Sequence, residues 1–266
     1  MSRAAMSLSA YIRRAAFAAP GLPSLNDLEA KWDAPWGPEA WEPMPSGLRP
    51  RQAMRLSPAT RAAMLVAESL APVDPQTAWV FASSVGEGQT LDIILRALCA
   101  PDMMIQPLKF QNAVHNAASG QWSIAGGITG PVTSVAAYDE TVGAGLLKCL
   151  LQMRAEGRPV ALVAYDAPIP VPLDEKRPLG VPMGVGLLLS DRSAEALARI
   201  EVRLVSPAPA PCPSPPTSPA GRALTATGNP IAAILPLLEC LSSGGLGMVR
   251  LGLSGGGCLE IAVAPV

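Results

Sequence analysis

The chain has 266 residues and carries 20 Lys and Arg against 21 Asp and Glu, a net charge of −1. Hydrophobic residues make up 49% and charged residues 15%, enough for one large core in one domain or a domain with an appendage. The near-neutral charge, the lack of a basic run of five or more, and 4% aromatics exclude a nucleic-acid field or a base-stacking surface.

The opening stretch, MSRAAMSLSAYIRRAAFAAPG, has Arg3, Arg13 and Arg14 and no acid before Asp27. A transit peptide shares that look, but residues 7–18 read better as a first strand closed by Pro20, Gly21 and Pro23. No apolar run reaches the roughly 18 residues that span a bilayer, so a soluble cytoplasmic protein is expected. Residues 22–50, with Trp32, Trp36 and Trp41 among prolines, read as an irregular excursion. Ser57 is a good N-cap with Pro58 at the first helical position, and Met64, Leu65 and Glu68 continue at helical spacing. TAWVFASS (77–84) is a buried strand, and GEGQTLDIILRALCA turns into a helix. KFQNAVHNAASGQWSIAGG predicts a helix ending near Gly120. TSVAA (133–137) is a strand and 140–155 a helix. Residues 158–166 and 180–190 give two more strands joined by a proline-rich loop.

Strands alternate with helices and each strand is almost continuously apolar. That pattern predicts an α/β fold whose sheet is covered on both faces. SPAPAPCPSPPTSPA (206–220) is low in complexity and reads as an extended linker or disordered insertion. NPIAAILPLLECL then predicts a helix, and GMVRLGL and GCLEIAVA two strands around a glycine turn. The expected organisation is a main unit at 1–205, a proline-rich linker at 206–222, and a closing segment at 223–266 that finishes the same domain.

Few motifs carry chemistry. GEGQTL (86–91) lacks the third glycine of GxGxxG and any GK[ST], so a tight turn before a helix is the better reading. The five cysteines, Cys99, Cys149, Cys212, Cys240 and Cys258, form no CxxC pair, and His115 is the single histidine. Neither a zinc site nor a disulfide framework follows. On a helix, His115 reads as a satisfied structural residue, and Cys149, deep in the helix that follows residue 140, as a small hydrophobe. The junction at Tyr138, Asp139 and Glu140 is the strongest signal. There Val142, Leu146, Leu150 and Met153 form one apolar stripe, and Gly143 and Gly145 permit close approach of neighbouring backbone. Asp139 is then the natural N-cap, its carboxylate facing free amides and the positive end of the helix dipole.

Pro107, Asn116, Gly120, Ile124, Gly127 and Gly130-Pro131 recur without a gap in the ketoacyl synthase branch of the thiolase-like superfamily, which residues 8–190 resemble. VFASSVGEG resembles that family's earlier strand and Ser-Gly turn, and RPVALVAYDAP its strand after the nucleophile helix. The resemblance implies a thiolase-like α/β fold of the synthase N-terminal half, layered α-β-α around a mostly buried mixed sheet. In that family the nucleophilic cysteine lies eight residues past the Gly-Pro proline, the position of Asp139 here. A thiolate at a helix amino end is activated by its lowered pKa, whereas a carboxylate is a poor acyl carrier. The two later imidazole-type residues are missing too, since no histidine follows His115, and the chain ends where a synthase would begin its second half.

Similar non-condensing members are chain length factors, found in aryl polyene and other type II systems. The implied function is a non-catalytic subunit that pairs as a heterodimer with an active ketosynthase and, through the complex, meets an acyl carrier protein. No cofactor and no metal is implied. By resemblance Leu108, Lys109 and Phe110 reach toward the partner's pocket, and the helix with His115 and Asn116 lies along the dimer contact. Phe110 is the better candidate for touching the growing chain. The alternatives are a free-standing thioester hydrolase or decarboxylase using Asp139 or Glu140, and a scaffold that stabilises the ketosynthase without touching its product.

Overall fold

The computed structural model describes residues 7–34, 36, 37, 41 and 43–266; the first residues, with Arg3, lie outside the described residues. Strand β1 (Ser7–Ala18) is followed by short helices α1 (Leu25–Ala30) and α2 (Pro50–Ala53), then by α3 (Pro58–Ser69) and β2 (Ala78–Ala82). Next come α4 (Gly88–Cys99), α5 (Pro107–Gln111), α6 (Ala117–Ala125) and β3 (Val132–Val135). A 3-10 turn (Tyr138–Glu140) leads into α7 (Thr141–Glu156), then β4 (Val160–Asp166), β5 (Met183–Ser190) and β6 (Ala198–Val205). The carboxyl-terminal part holds α8 (Pro219–Ala226), a 3-10 turn (Pro230–Ile234), α9 (Leu235–Ser242), β7 (Gly247–Leu253) and β8 (Gly257–Ala264).

The eight strands among the described residues join one mixed sheet in the order β3-β2-β4-β5-β1-β6-β8-β7. β2 pairs parallel with β3 and β4, and every other pairing is antiparallel. β2, β4 and β5 are buried along their whole length, as their unbroken apolar sequence requires. α3 and α6 cover one face around Trp79, Phe81 and Tyr165. α7, the 3-10 turn at Pro230–Ile234 and α9 cover the other, around Leu146, Leu162, Ile200 and Ile261. The result is an α-β-α layering, as expected.

The sheet is not covered on both faces throughout. In β6 the buried residues Ala198, Ile200 and Val202 alternate with exposed or half-buried ones, so one face stays open there. That alternation marks a half-buried strand, and the sequence reading passed over it along with α8. Ser57 caps α3 as expected, accepting the Thr60 amide at 3.0 Å.

The single helix expected across 109–120 is two. The chain leaves helix at Asn112, where the His115 ring nitrogen Nε2 sits 2.9 Å from the Ser83 carbonyl, and α6 runs on past Gly120 to Ala125. The proline-rich segment takes no helix or strand between 206 and 218, yet it is docked. The Ala208 amide donates to Gly256 O at 2.9 Å, the Ser214 amide to Arg250 O at 3.0 Å, and the Arg250 amide to Ser214 Oγ at 2.9 Å.

Candidate functional site

β3 delivers the chain to the carboxyl edge of the sheet, and α7 returns from it beneath the strands. The two are joined by a turn at Tyr138–Glu140 whose first residue has a left-handed backbone, φ 54°. For a tyrosine that conformation costs on the order of 1 kcal/mol and is sustained by surrounding contacts. One contact is Thr141, whose Oγ1 accepts the Ala137 amide at 2.9 Å and donates to Tyr138 O at 2.7 Å. α7 can lie this close because Gly143 and Gly145 carry no side chain. A Cβ on Gly143 would stand 2.2 Å from Gly252 O, and one on Gly145 would stand 2.9 Å from Ala82 Cβ.

Asp139 stands at the amino end of α7 but does not cap it. The inserted 3-10 turn moves its carboxylate out of reach of the helix amides, and no side chain caps the helix start at Glu140. The carboxylate instead pairs with Arg177, whose guanidinium also lies 3.7 Å above the centre of the Tyr138 ring. Arg177 is 13% exposed and Asp139 60%, so the pair is worth at most about 1 kcal/mol, with a comparable gain from stacking on the ring. Sequence reasoning did not find Arg177. It arrives from a loop 38 residues away, and no local pattern announces it.

Asp139 and Glu140 line a cavity of about 460 Å³ together with Gly143, Cys212, Asn229 and Leu251. Cys212 comes from the docked proline-rich segment. It faces the buried Cys258, whose thiol is pushed up to about 11 by burial and by the neighbouring Cys212. Cys149 is wholly buried in α7 and burial pushes its thiol up, which leaves it inert. His115 is not among the cavity's lining residues, so no imidazole serves either carboxylate or Cys212. Among the described residues no group of three or more His, Cys, Asp or Glu side chains could hold a metal ion.

A second carboxylate organises the neighbouring turn. Asp166 is fully buried at the end of β4, accepts the Ser83 hydroxyl at 2.7 Å, and takes the Ser84 amide at 3.0 Å and the Val85 amide at 3.3 Å. Burial raises its pKa, and these hydrogen bonds oppose the rise.

The residues expected at a partner or tunnel contact are spread out. Phe110 is 67% exposed. Lys109 lines a cleft with Arg55, Arg61 and Asn112, whereas Asn116 lines another with Ser119 and Ser134 beside β3. His115 is turned inward to Ser83, and the side chain of Leu108 lies outside the described residues. α4 exposes Leu91, Leu95 and Leu98 at helical spacing while burying Thr90 and Asp92, the reverse of a helix packed only on its own core.

The chain is similar in fold to several solved structures. A chain of the ketosynthase ApeO in complex with its chain length factor ApeC from Xenorhabdus doucetiae matches at 21% identity, with a TM-score of 0.71, over 96% of this chain and 99% of that one. The ishigamide ketosynthase/chain length factor matches at 14% identity and a TM-score of 0.72, over 97% and 99% of the two chains. A complex of a type II polyketide synthase acyl-carrier protein with its ketosynthase, AntDE:AntF, matches at 9% identity and a TM-score of 0.71, over 97% and 100%. No curated protein sequence matches the chain. The family described as "Beta-ketoacyl synthase, N-terminal domain" matches residues 29–217, more than half of the chain and including the strand, turn and helix around Asp139. The chain therefore belongs to the β-ketoacyl synthase N-terminal domain family.

Proposed function

We propose that the protein is a non-condensing ketosynthase-like subunit, a chain length factor. In this reading it forms a heterodimer with an active β-ketoacyl synthase in cytoplasmic polyene or polyketide biosynthesis of the aryl polyene type. The observation that carries the reading is the seat at the amino end of α7. It holds the Asp139 carboxylate, paired with Arg177, where the family's thiol would attack. Cys212 does not replace that thiol, because it lies on an irregular segment and no imidazole lines the cavity. The similarity to ketosynthase and chain length factor complexes supports the pairing, as does the apolar belt of α4 and α5. Leu91, Leu95, Leu98, Met103, Met104 and Phe110 are exposed along α4, α5 and the segment between them, apolar side chains that a partner would cover.

Co-expression with the companion ketosynthase tests this. A stable one-to-one complex is expected, with product formed only when the ketosynthase's own cysteine is intact. Phe110→Ala and Phe110→Trp should shift product length if this residue touches the chain; an unchanged distribution assigns the subunit a scaffolding part. Thioester hydrolysis or decarboxylation by the chain alone, lost in Asp139→Ala by about 100-fold or more, would replace this reading with an enzymatic one.

A further inference from the structure

Two of the five thiols are held against each other. Cys212 lies on the proline-rich segment and lines the cavity of about 460 Å³ beside Asp139 and Glu140. Cys258 is wholly buried on β8, where pairing with Val205 of β6 and Gly252 of β7 fixes it from both sides. The two side chains are in hydrogen-bonding contact. The segment is pinned on either side of Cys212, by the Ala208 amide on Gly256 O at 2.9 Å and the Ser214 amide on Arg250 O at 3.0 Å. Between those pins it has no helix or strand, so it can yield the short movement that brings touching sulfurs to a bond of about 2 Å. The other three cysteines are placed differently. Cys99 is exposed, Cys149 is wholly buried in α7, and Cys240 stands on α9 beside Glu239.

The contact divides the roles. Burial first, and Cys212 second, push the Cys258 thiol up to about 11, while Arg250 pulls the other way. Cys258 thus keeps its proton, and Cys212, on the cavity wall, is the thiol that a small reagent meets. Once Cys212 is a neutral sulfenic acid, its charge no longer opposes ionisation of Cys258.

We propose that Cys212 and Cys258 form a reversible oxidation site for a small hydroperoxide, hydrogen peroxide being the simplest, which couples them into a disulfide. The Cys212 thiolate attacks one peroxide oxygen. The O–O bond breaks, water leaves, and the sulfur gives up two electrons to become a sulfenic acid. The Cys258 thiolate then attacks that sulfur. The S–O bond breaks, and hydroxide departs as water with the proton that Cys258 released. One peroxide and two thiols become one disulfide and two waters. The bond ties Ala208, Cys212 and Pro213, one wall of the cavity, to β8 and so fixes the space beside Asp139. The inference does not depend on the function proposed above.

The test treats the full chain with one equivalent of hydrogen peroxide and maps its peptides without reduction. The expected product links the Cys212 and Cys258 peptides at a mass lower by about 2 Da, the two hydrogens lost, and dithiothreitol reverses it. The oxidised chain should melt about 5 °C higher than the reduced one. In Cys258→Ala oxidation should stop at a Cys212 sulfenic acid that dimedone captures. In Cys212→Ser residue 258 should stay reduced, and neither variant should gain the shift in Tm. Cys99→Ser should give the wild-type link, which sets aside pairing between chains through the exposed thiol. Separate thiols after oxidation of the wild type, or a bond from either residue to Cys99 or Cys240, would overturn the proposal. That map is read on the wild-type chain, so it decides the matter even where a substituted chain fails to fold.

Discussion

At residue 139 the sequence reading put a carboxylate at the amino end of a helix, where it stands, but gave it the wrong bond. Its seat at the start of α7 was legible from the apolar strand at 133–137 and the helical stripe after residue 140. Its partner was not, because Arg177 reaches it only through tertiary folding. Asp139→Ala should cost about 1 kcal/mol in thermal or urea denaturation, since the carboxylate is mostly exposed and holds no helix amide. Thr141→Val should cost more, about 1–3 kcal/mol, because it strands the Ala137 amide and removes the bond that holds Tyr138. Asp166 was read only as the end of a strand, and it is the acceptor for a whole turn. Its raised pKa means the folded state holds the proton more tightly than the unfolded one. Its contribution to stability is therefore fullest below the ordinary aspartate range and declines as pH rises through the folded value. Wild type should accordingly lose stability relative to Asp166→Asn over that interval, measured by denaturation at stepped pH; parallel curves would refute the assignment.

Among the elements, those with one dominant period were read well. β2, β4 and β5 are continuous apolar runs, and α3 begins at a serine cap followed by proline. The reading failed where two signals compete. Around 109–125 the helical spacing is real, but His115 ties the chain back to Ser83 and splits the helix. Residues 230–242 divide likewise into a 3-10 turn and α9, with a proline in the first turn of each. In α7 the glycines were correctly taken as points of close approach. Gly143→Ala forces a methyl group into the Gly252 carbonyl, so α7 must shift off β7. A loss of about 1–3 kcal/mol is expected, as for other overpacked sites, together with a change in near-ultraviolet circular dichroism from the Tyr138 turn.

For the whole molecule, a layered α/β fold was legible, but its asymmetry was not. Composition counts apolar residues without saying which way they face, so the outward stripe of α4 was invisible until the helix was placed. Leu95→Asp should leave the isolated chain's stability within about 0.5 kcal/mol of wild type, because the site is exposed, and should abolish co-purification with the ketosynthase. Retained pairing would move the interface elsewhere on the surface. Ile124, 82% exposed at the end of α6 near β3, offers an independent probe by the same substitution.

The docked proline-rich segment has a consequence for how copies of this chain can grow on one another. A sheet in the order β3-β2-β4-β5-β1-β6-β8-β7 ends in two strands, and either could recruit a further strand from outside. At β7 the recruiting groups of Arg250 are already taken, both by Ser214: its amide meets the carbonyl and its hydroxyl meets the amide. Pro213 on one side and Pro215 and Pro216 on the other lack the N–H that would prolong such a ladder. One end of the sheet is thus obstructed at Arg250, and β3 lies at the other. Joining through β3 alone terminates at two partners instead of propagating into a fibre.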